Sequence, residues 1–265
     1  MSYEKTFKER KRIMEIFMAS EGAIRPHLTL TGPSGSGKSH SIQYLCNSLG
    51  LNVLEVNAAQ LTKEGTAGSS LSKALSPLLQ TEGLSVVFVD EFDKLFIAGN
   101  NNSTLAHEVS HGVQNEFLKA LEGITTVYTD YGKYVNIRTD KCLFIFAGAF
   151  NGEENIDLDR LREFGVKTEF LGRVGLVYSM EKLSLEDLRK ILNNSELLNN
   201  YLTLFPEANK AKVTTDIMKV VKDNHENNTL GARLLNTLTH QYFIMGGIKP
   251  KQTKKVVFQK TLSLH

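Results

Sequence analysis

The chain has few cysteines, almost no net charge and no long hydrophobic run. Its two cysteines, Cys46 and Cys142, lie in apolar stretches without the spacing of metal ligands. We therefore expect two core thiols in a reducing compartment rather than disulfides or a zinc site. Lysine and arginine total 31 against 29 acidic residues, and this net charge of +2 gives no strong electrostatic case for a nucleic-acid partner.

The sequence also lacks the segments that direct a chain to a membrane. No stretch approaches the roughly 18 apolar residues of a membrane span, so no membrane partner is expected. The first twenty residues mix basic side chains with Ile13, Ile16 and Phe17 at helical spacing, which predicts an amphipathic helix rather than a signal peptide. We therefore expect a cytoplasmic protein.

A complete phosphate-binding pattern, G-x-x-x-x-G-K-[ST], lies at residues 32–39 between an apolar run at 28–30 and a helical pattern. Its glycines let successive backbone N–H groups point at phosphate oxygens, while Lys38 reaches the β- and γ-phosphates and Ser39 is a ligand for Mg²⁺. The predicted binding residues are Gly32, Pro33, Ser34, Gly35, Ser36, Gly37, Lys38 and Ser39. The pattern predicts a nucleoside-triphosphate site, and the alternative is a chance glycine-rich turn.

An acidic pair follows about fifty residues later in the chain. The apolar run at 86–89 predicts a strand buried on both faces of a parallel sheet, and ligands bind at the C-terminal ends of such strands. Asp90, at that end, would hold Mg²⁺ through water, and Glu91 would orient and activate the attacking water as general base. An acidic pair can also cap a helix. Because the Glu follows the Asp directly, hydrolysis is favoured over phosphoryl transfer to a metabolite.

The alternation of strand and helix patterns predicts an α/β fold with a doubly wound parallel sheet. From about Met180 the pattern becomes helical, with Ser184 as the N-cap of the first helix. We therefore expect a large α/β domain over 1–179 and a smaller, mostly helical domain over 180–265. The other expected elements are strands at 52–56, 141–146 and 255–258, helices around 70–80, 107–122, 215–222 and 230–245, a loop at 99–103 and a polar joint at 193–200.

With the phosphate loop, five further stretches in the same order resemble the AAA+ ATPases, and within them the protein-unfoldase subunits ClpX and HslU. The stretches are Asp-Glu-Phe-Asp-Lys at 90–94, the Gly-Val-Gln helix at 112–123, the strand at 143–150, Glu-Phe-Leu-Gly-Arg at 169–173 and Leu-Gly-Ala-Arg at 230–233. The resemblance covers nearly all of the chain from Thr29 onward. It implies a P-loop ATPase that uses ATP and Mg²⁺, forms a homo-oligomeric, hexameric ring and remodels or unfolds protein substrates.

The resemblance also assigns roles to three side chains. Arg173 would be an arginine finger that reaches the γ-phosphate bound by the neighbouring subunit, and Arg233 would be a second sensor that contacts the phosphates from the smaller domain. Asn151 is the nearest candidate for the first sensor, the polar residue that orients the water. A cation placed near the phosphoryl oxygens stabilises the transition state. From the residues alone, both arginines would rather be assigned to surface salt bridges.

Three departures from the family pattern limit these implications. Where the family has Gly-Tyr-Val-Gly in its first pore loop, this chain has Gly-Thr-Ala-Gly at 65–68, and Thr66 cannot supply the same apolar grip on a polypeptide. About twenty residues, 151–170, fill the span that holds the peptidase-docking insertion of ClpX, so a ClpP-like peptidase partner is not expected. No zinc-binding domain is expected either, because clustered cysteines are lacking.

The segment at 128–134, Tyr-Thr-Asp-Tyr-Gly-Lys-Tyr, occupies the place of the family's second pore loop. Its tyrosines, Lys133 and the nearby Arg138 would line a channel, unless the segment is an ordinary hairpin whose tyrosines pack against the sheet. The leading hypothesis is therefore an ATP-driven remodeller of proteins. The alternative is an ATPase switch, such as a nucleic-acid initiator or a clamp or helicase loader. A metabolite kinase would leave both arginines and the helical domain unexplained.

Overall fold

The computed structural model describes residues 3–62, 69–97, 104–129, 131–225 and 230–245. The chain divides into two compact units, Met1–Leu183 and Ser184–His265, a division that falls a few residues after the predicted domain boundary. The predicted loop at 99–103, the predicted strand at 255–258 and the pore-loop residues 65–68 lie outside the described residues.

The strands of the first unit are β1 (Leu28–Thr31), β2 (Asn52–Asn57), β3 (Ser85–Asp90), β4 (Ile124–Tyr128), β5 (Tyr134–Arg138), β6 (Cys142–Gly148) and β7 (Leu176–Ser179). A parallel five-stranded sheet organises this unit, in the order β2-β3-β6-β1-β7. A separate antiparallel pair, β4 and β5, forms a hairpin. The helices are α1 (Tyr3–Ala19), α2 (Lys38–Leu49), α3 (Leu71–Ala74), α4 (Lys94–Ile97), α5 (Thr104–Glu122), α6 (Leu158–Glu163) and α7 (Thr168–Arg173).

The sheet is buried on both faces, as the apolar run at 86–89 predicts. Val86 and Phe88 belong to one core cluster, and Val87 and Val89 belong to the other, because successive side chains of a strand point to opposite faces. Helices α1 and α2 contribute to the first cluster, and α5 and α7 contribute to the second. This arrangement confirms the predicted doubly wound α/β fold.

One local prediction in this unit is wrong, and one strand was missed. The helix expected around 70–80 is the single turn α3 followed by a 3₁₀ turn at Ser76–Gln80, because Pro77 has no N–H to continue a helical hydrogen-bond pattern. Strand β7 was not predicted, since it is only four residues long and lies at the sheet edge.

Both cysteines lie buried in the core as free thiols, and burial raises the pKa of each thiol to about 11.

The second unit is helical in its described part. Ser184 accepts a hydrogen bond from the Asp187 N–H in a capping box, which confirms the predicted N-cap. The polar joint expected at 193–200 is wrong, because Ser195 caps a further helix there and Leu198 anchors that helix in the core. The helices are α8 (Leu185–Asn193), α9 (Glu196–Leu204), α10 (Lys210–Asn224) and α11 (Arg233–Ile244).

Within the described ranges, none of the helices combines the length and the apolarity that crossing a membrane requires.

A buried histidine precedes the first strand. The backbone N–H of Phe144 donates to His27 Nδ1 at 3.0 Å, and the two rings meet edge to face. Burial, with a smaller contribution from the Arg25 guanidinium, lowers the pKa of His27 to about 4. The ring is therefore neutral in the folded protein and accepts a hydrogen bond that the doubly protonated ring would lose.

We expect acid to destabilise the first unit through His27. Because its pKa falls from about 6.5 in the unfolded chain to about 4 in the folded one, the stabilisation is complete above pH 6.5 and is lost as the pH falls towards 4. Between pH 7.5 and pH 5.0, the free energy of unfolding should fall by about 2 kcal/mol more for wild type than for His27→Asn, which keeps an acceptor and does not titrate. Urea unfolding at both pH values measures the difference.

The exposed His111 supplies the control, because His111→Asn should keep the pH dependence of the wild type. An equal fall in stability for wild type and His27→Asn would contradict the prediction.

Candidate active site

The phosphate loop, the acidic pair and Asn151 collect at one edge of the sheet. Parallel strands end at the same edge, so the loop after β1, Asp90 at the end of β3 and Asn151 just after β6 share that edge. The Ser39 hydroxyl donates a hydrogen bond to Asp90 Oδ2 at 2.9 Å. The structure thus brings together the two side chains predicted to hold Mg²⁺, although 51 positions separate them in the chain.

The loop between β1 and α2 needs glycine where its backbone turns left-handed. Gly35 and Gly37 have φ angles of 71° and 87°. At Gly32 a Cβ would lie 2.2 Å from the carbonyl oxygen of Met180, whose own N–H donates to Thr31 O at 2.8 Å. The residue after β7 therefore packs directly against the start of the loop, and no side chain fits at Gly32.

The polar atoms of the loop match the needs of a triphosphate. Lys38 Nζ is buried and donates to the carbonyl oxygens of Gly32 at 2.6 Å and Pro33 at 2.9 Å. The buried Ser36 hydroxyl has no hydrogen-bond partner among the described residues. Burying a hydroxyl without a partner is costly, and a phosphate oxygen would satisfy it. The loop residues therefore fit a nucleoside triphosphate.

Ser39 and Asp90 provide oxygen atoms that fit Mg²⁺. Mg²⁺ prefers oxygen ligands and keeps several waters, so it is usually held by one or two protein groups together with phosphates. Ser39 Oγ and Asp90 Oδ2, already in contact, offer such a pair. No group of three His, Cys, Asp or Glu side chains able to hold a metal occurs in the parts of the chain that the structure describes.

Glu91 has an unusual backbone conformation directly after β3. Its φ angle is 56°, and its N–H donates to Asp90 Oδ1 at 2.8 Å while its side chain is exposed. Left-handed conformations in residues other than glycine are uncommon and concentrate at functional sites. This turn separates the two neighbouring carboxylates, so that Asp90 faces Ser39 and Glu91 is accessible to a water molecule.

Arg173 and Arg233 lie in different units. Arg173 ends α7, and its guanidinium contacts Glu122 Oε1 at 2.6 Å, with both side chains about half exposed. Within one chain, Arg173 therefore makes the surface salt bridge that was the alternative to the finger assignment. Arg233 is the exposed first residue of α11 in the second unit.

The segment at 128–134 joins β4 to β5, and its position 130 lies outside the described residues. Tyr131 is 91% exposed and Tyr134 is 55% exposed, so the alternative in which all the tyrosines pack against the sheet is wrong for these two. Tyr128 is partly buried, and Lys73 Nζ lies 5.5 Å from its ring centre. Arg138 lies at the base of the hairpin, where it is paired with Asp140.

Sequence reasoning missed two residues that shape the site. The close approach of Met180 to Gly32 joins positions far apart in the chain, and no motif signals it. Asp93, within Asp-Glu-Phe-Asp, is a buried carboxylate that accepts a hydrogen bond from the Phe150 N–H at 3.2 Å. An acidic residue two positions after Glu91 was the available signal for Asp93.

Comparisons with known proteins agree with this geometry. Residues 28–170, more than half of the chain, match the family described as "ATPase family associated with various cellular activities (AAA)". The similar curated proteins include "ATP-dependent Clp protease ATP-binding subunit ClpX" of Porphyromonas gingivalis, 28% identical over 261 residues that cover 81% of this chain and 64% of that protein. ClpX of Borrelia duttonii is 25% identical over an alignment of 307 positions, which covers 97% of this chain and 70% of that protein.

A third relative, the protein named ClpX 2 of Wolinella succinogenes, is 27% identical over 254 residues, which cover 82% of this chain and 64% of that protein. The chain thus spans just under two thirds of the length of the first and third of these relatives. The resemblance predicted from the motifs is confirmed, and the chain belongs to the AAA family of ATPases.

Proposed function

We propose that this chain is an ATP-hydrolysing subunit of a hexameric ring that remodels or unfolds protein substrates. The observation that carries the proposal is the contact between Ser39 and Asp90 at the phosphate loop, with Glu91 next in the chain. Membership of the AAA family and the similarity to proteins named ClpX support the same reading.

In the proposed reaction, water attacks the γ-phosphorus of ATP, the bond to the oxygen that bridges the β- and γ-phosphates breaks, and ADP and phosphate leave. Lys38 and the loop N–H groups would hold the phosphates, and Glu91 would take the proton of the attacking water. Mg²⁺, held by Ser39 and by Asp90 through water, would neutralise charge on the phosphates. Asn151 would orient the water as the first sensor.

The proposal that the subunits form a ring rests on Arg173. Its exposed ion pair with Glu122 is of a kind that contributes about 0–1 kcal/mol, so breaking it costs little. In the proposed ring, Arg173 would leave Glu122 and contact a phosphate bound by a neighbouring subunit, where an arginine finger accelerates hydrolysis by about 10³–10⁵. Arg233 would act as the second sensor from the second unit.

The proposal that the substrate is a protein rests on the exposed tyrosines of the β4–β5 hairpin and on the net charge of the chain. Tyr131 and Tyr134 expose aromatic surface, and an aromatic ring buries far more apolar area against a polypeptide than Thr66 can. The near-neutral net charge does not favour a nucleic-acid partner. A ClpP-like peptidase is not part of the proposal.

One observation favours a second candidate, an ATPase switch that assembles on nucleic acid as an initiator or loader. Thr66 stands where a threading ring of this family has a tyrosine. ATPase stimulation by an unfolded protein, compared with stimulation by DNA at the same ionic strength, separates the two candidates. Stimulation by DNA alone would favour the switch.

Nucleotide binding and hydrolysis should separate by mutation. Lys38→Ala should abolish ATP binding, because it removes the charge that faces the phosphates. Glu91→Gln should bind ATP normally and hydrolyse it about 10²–10⁴ times more slowly, because an amide cannot accept the proton. Fluorescent-nucleotide titration and phosphate release measure the two properties, with the exposed Glu82→Gln as control. Hydrolysis by Glu91→Gln at the wild-type rate would disprove the assignment.

Arg173 should act between subunits. Specific ATPase activity should therefore rise with protein concentration as subunits associate. Arg173→Ala and Glu91→Gln subunits should each be inactive, and mixtures should regain part of the activity because some interfaces combine an intact Glu91 with an intact Arg173. Phosphate release against mixing ratio tests this, and Arg162→Ala, which removes another exposed ion-paired arginine, should stay active. Full activity of a dilute monomer would rule out the role.

The hairpin tyrosines should couple hydrolysis to substrate. Replacing the exposed pair, Tyr131→Ala with Tyr134→Ala, should leave the basal ATPase within about twofold and abolish its stimulation by an unfolded protein, because the apolar contact area is lost. Tyr44→Ala removes a tyrosine on α2 that is about as exposed as Tyr134 and should have no such effect. Unchanged stimulation in the hairpin variant would argue against threading along this surface.

A further inference from the structure

Asp93 is a buried acid whose role the proposed chemistry leaves unexplained. It lies in the turn between β3 and α4, and its side chain is 1% exposed. Oδ2 accepts a hydrogen bond from the Phe150 N–H at 3.2 Å, and Lys94 Nζ lies 3.7 Å from the same oxygen. Burying a carboxylate costs free energy unless it is paired and hydrogen-bonded, so Asp93 depends on its contacts with the Phe150 N–H and Lys94. The Phe150 contact ties the turn after β3 to the turn after β6.

The turn that Asp93 holds is itself strained. Phe150 and Asn151 have successive φ angles of 44° and 59°, both in the left-handed region that disfavours residues other than glycine. Such a conformation persists only where the surroundings fix it. Here the Phe150 ring is buried against Phe164, and the Phe150 N–H is fixed by Asp93.

A second contact joins the turn after β3 to the end of strand β6. The Phe92 N–H donates to Ala147 O at 2.8 Å, one residue before Asp93 on one side and just before Gly148 on the other. Gly148 leaves no room for a side chain, because a Cβ there would lie 2.9 Å from Asp93 Oδ1. The Asp93 carboxylate is therefore packed against the last residue of β6 and bonded to the turn that follows it.

The Asp93–Phe150 and Phe92–Ala147 hydrogen bonds together form what we call the clamp. One residue of the proposed chemistry lies on each side of it. Glu91 precedes Phe92 and Asp93 in the first turn, and Asn151 follows Phe150 in the second. A shift of the Phe150–Asn151 turn away from Asp93 would break the hydrogen bond from the Phe150 N–H, and a shift of the turn after β3 away from β6 would break the contact between Phe92 and Ala147. The clamp consists of backbone and buried groups, so it does not depend on nucleotide contacts.

We infer that Asp93 is a positioning residue that holds the left-handed Phe150–Asn151 turn and so fixes Asn151 relative to Glu91. The inference rests on the proposed roles of Glu91 and Asn151. The Asp93 side chain is 1% exposed and so offers no surface to a nucleotide, and its loss should therefore reduce kcat and leave nucleotide affinity unchanged. A misplacement of about 1 Å in such a site can cost about a hundredfold in rate.

The test combines kinetics with amide hydrogen exchange on the full chain. Asp93→Ala should lower kcat by about 10- to 100-fold and leave the affinity for a non-hydrolysable ATP analogue within about threefold. Asp93→Asn keeps an acceptor oxygen for the Phe150 N–H and should retain most of kcat. Exchange in a peptide covering 147–153 should accelerate in Asp93→Ala and remain near the wild-type rate in Asp93→Asn.

Two comparisons separate positioning from general destabilisation. In an Asn151→Ala background, Asp93→Ala should cause little further loss of kcat, because the residue through which it acts is already gone. Met14→Ala removes a buried side chain from the opposite face of the sheet and should keep kcat at a matched loss of thermal stability. Unchanged kcat and exchange in Asp93→Ala, full additivity with Asn151→Ala, or an equal loss in Met14→Ala would overturn the inference.

Failure of the proposed function would look different. If wild-type protein shows no hydrolysis dependent on Glu91, or if Asn151→Ala keeps full kcat, the proposed chemistry fails. The exchange of residues 147–153 still reports whether Asp93 holds the turn. Accelerated exchange in Asp93→Ala supports the clamp in that case, and unchanged exchange refutes it.

Discussion

The pairing of β6 with β1 on one side and with β3 on the other is the constraint on which the site depends. Leu28 pairs with Ile145, and Val89 pairs with Phe146. The strand ends that carry the phosphate loop, Asp90 and the Asn151 turn therefore lie side by side at the same edge of the sheet. A slip by one residue would move every side chain of β6 to the opposite face, so Phe144 and Phe146 would have to pack in the core that now surrounds Leu143, Ile145 and Ala147. The apolar core therefore enforces the register that brings Ser39 to Asp90.

Most of this arrangement was predictable, because it follows from local pattern. The phosphate loop is contiguous, and its flanking strand and helix follow from periodicity. The apolar run that ends at Asp90 reads as a central strand, because such a strand is covered on both faces. Ser184 could be assigned as a cap because its partner, Asp187, lies three residues away. In each case the residues that determine the structure are neighbours in sequence.

What could not be predicted depends on contacts between distant residues. The approach of Met180 to Gly32 and the bond from Phe150 to Asp93 arise only when the sheet is assembled. Helix α9 was mistaken for a joint because asparagines disfavour helix interiors, and here the Ser195 cap and burial of Leu198 outweigh that preference. The exposure of Tyr134 depends on which face of β4–β5 packs on the core, where Val127 and Ile137 are buried.

The contact between Gly32 and Met180 has a mechanical consequence. Met180 follows the last strand of the first unit, and its carbonyl oxygen fills the space that a Cβ on Gly32 would need. Its N–H is bonded to Thr31, so the peptide by which the chain leaves the sheet also forms one wall of the loop. Close-packed interiors have low compressibility and transmit strain. A force applied along the chain at residues 180–183 would therefore reach the phosphate loop directly through Met180, without passing through the rest of the sheet.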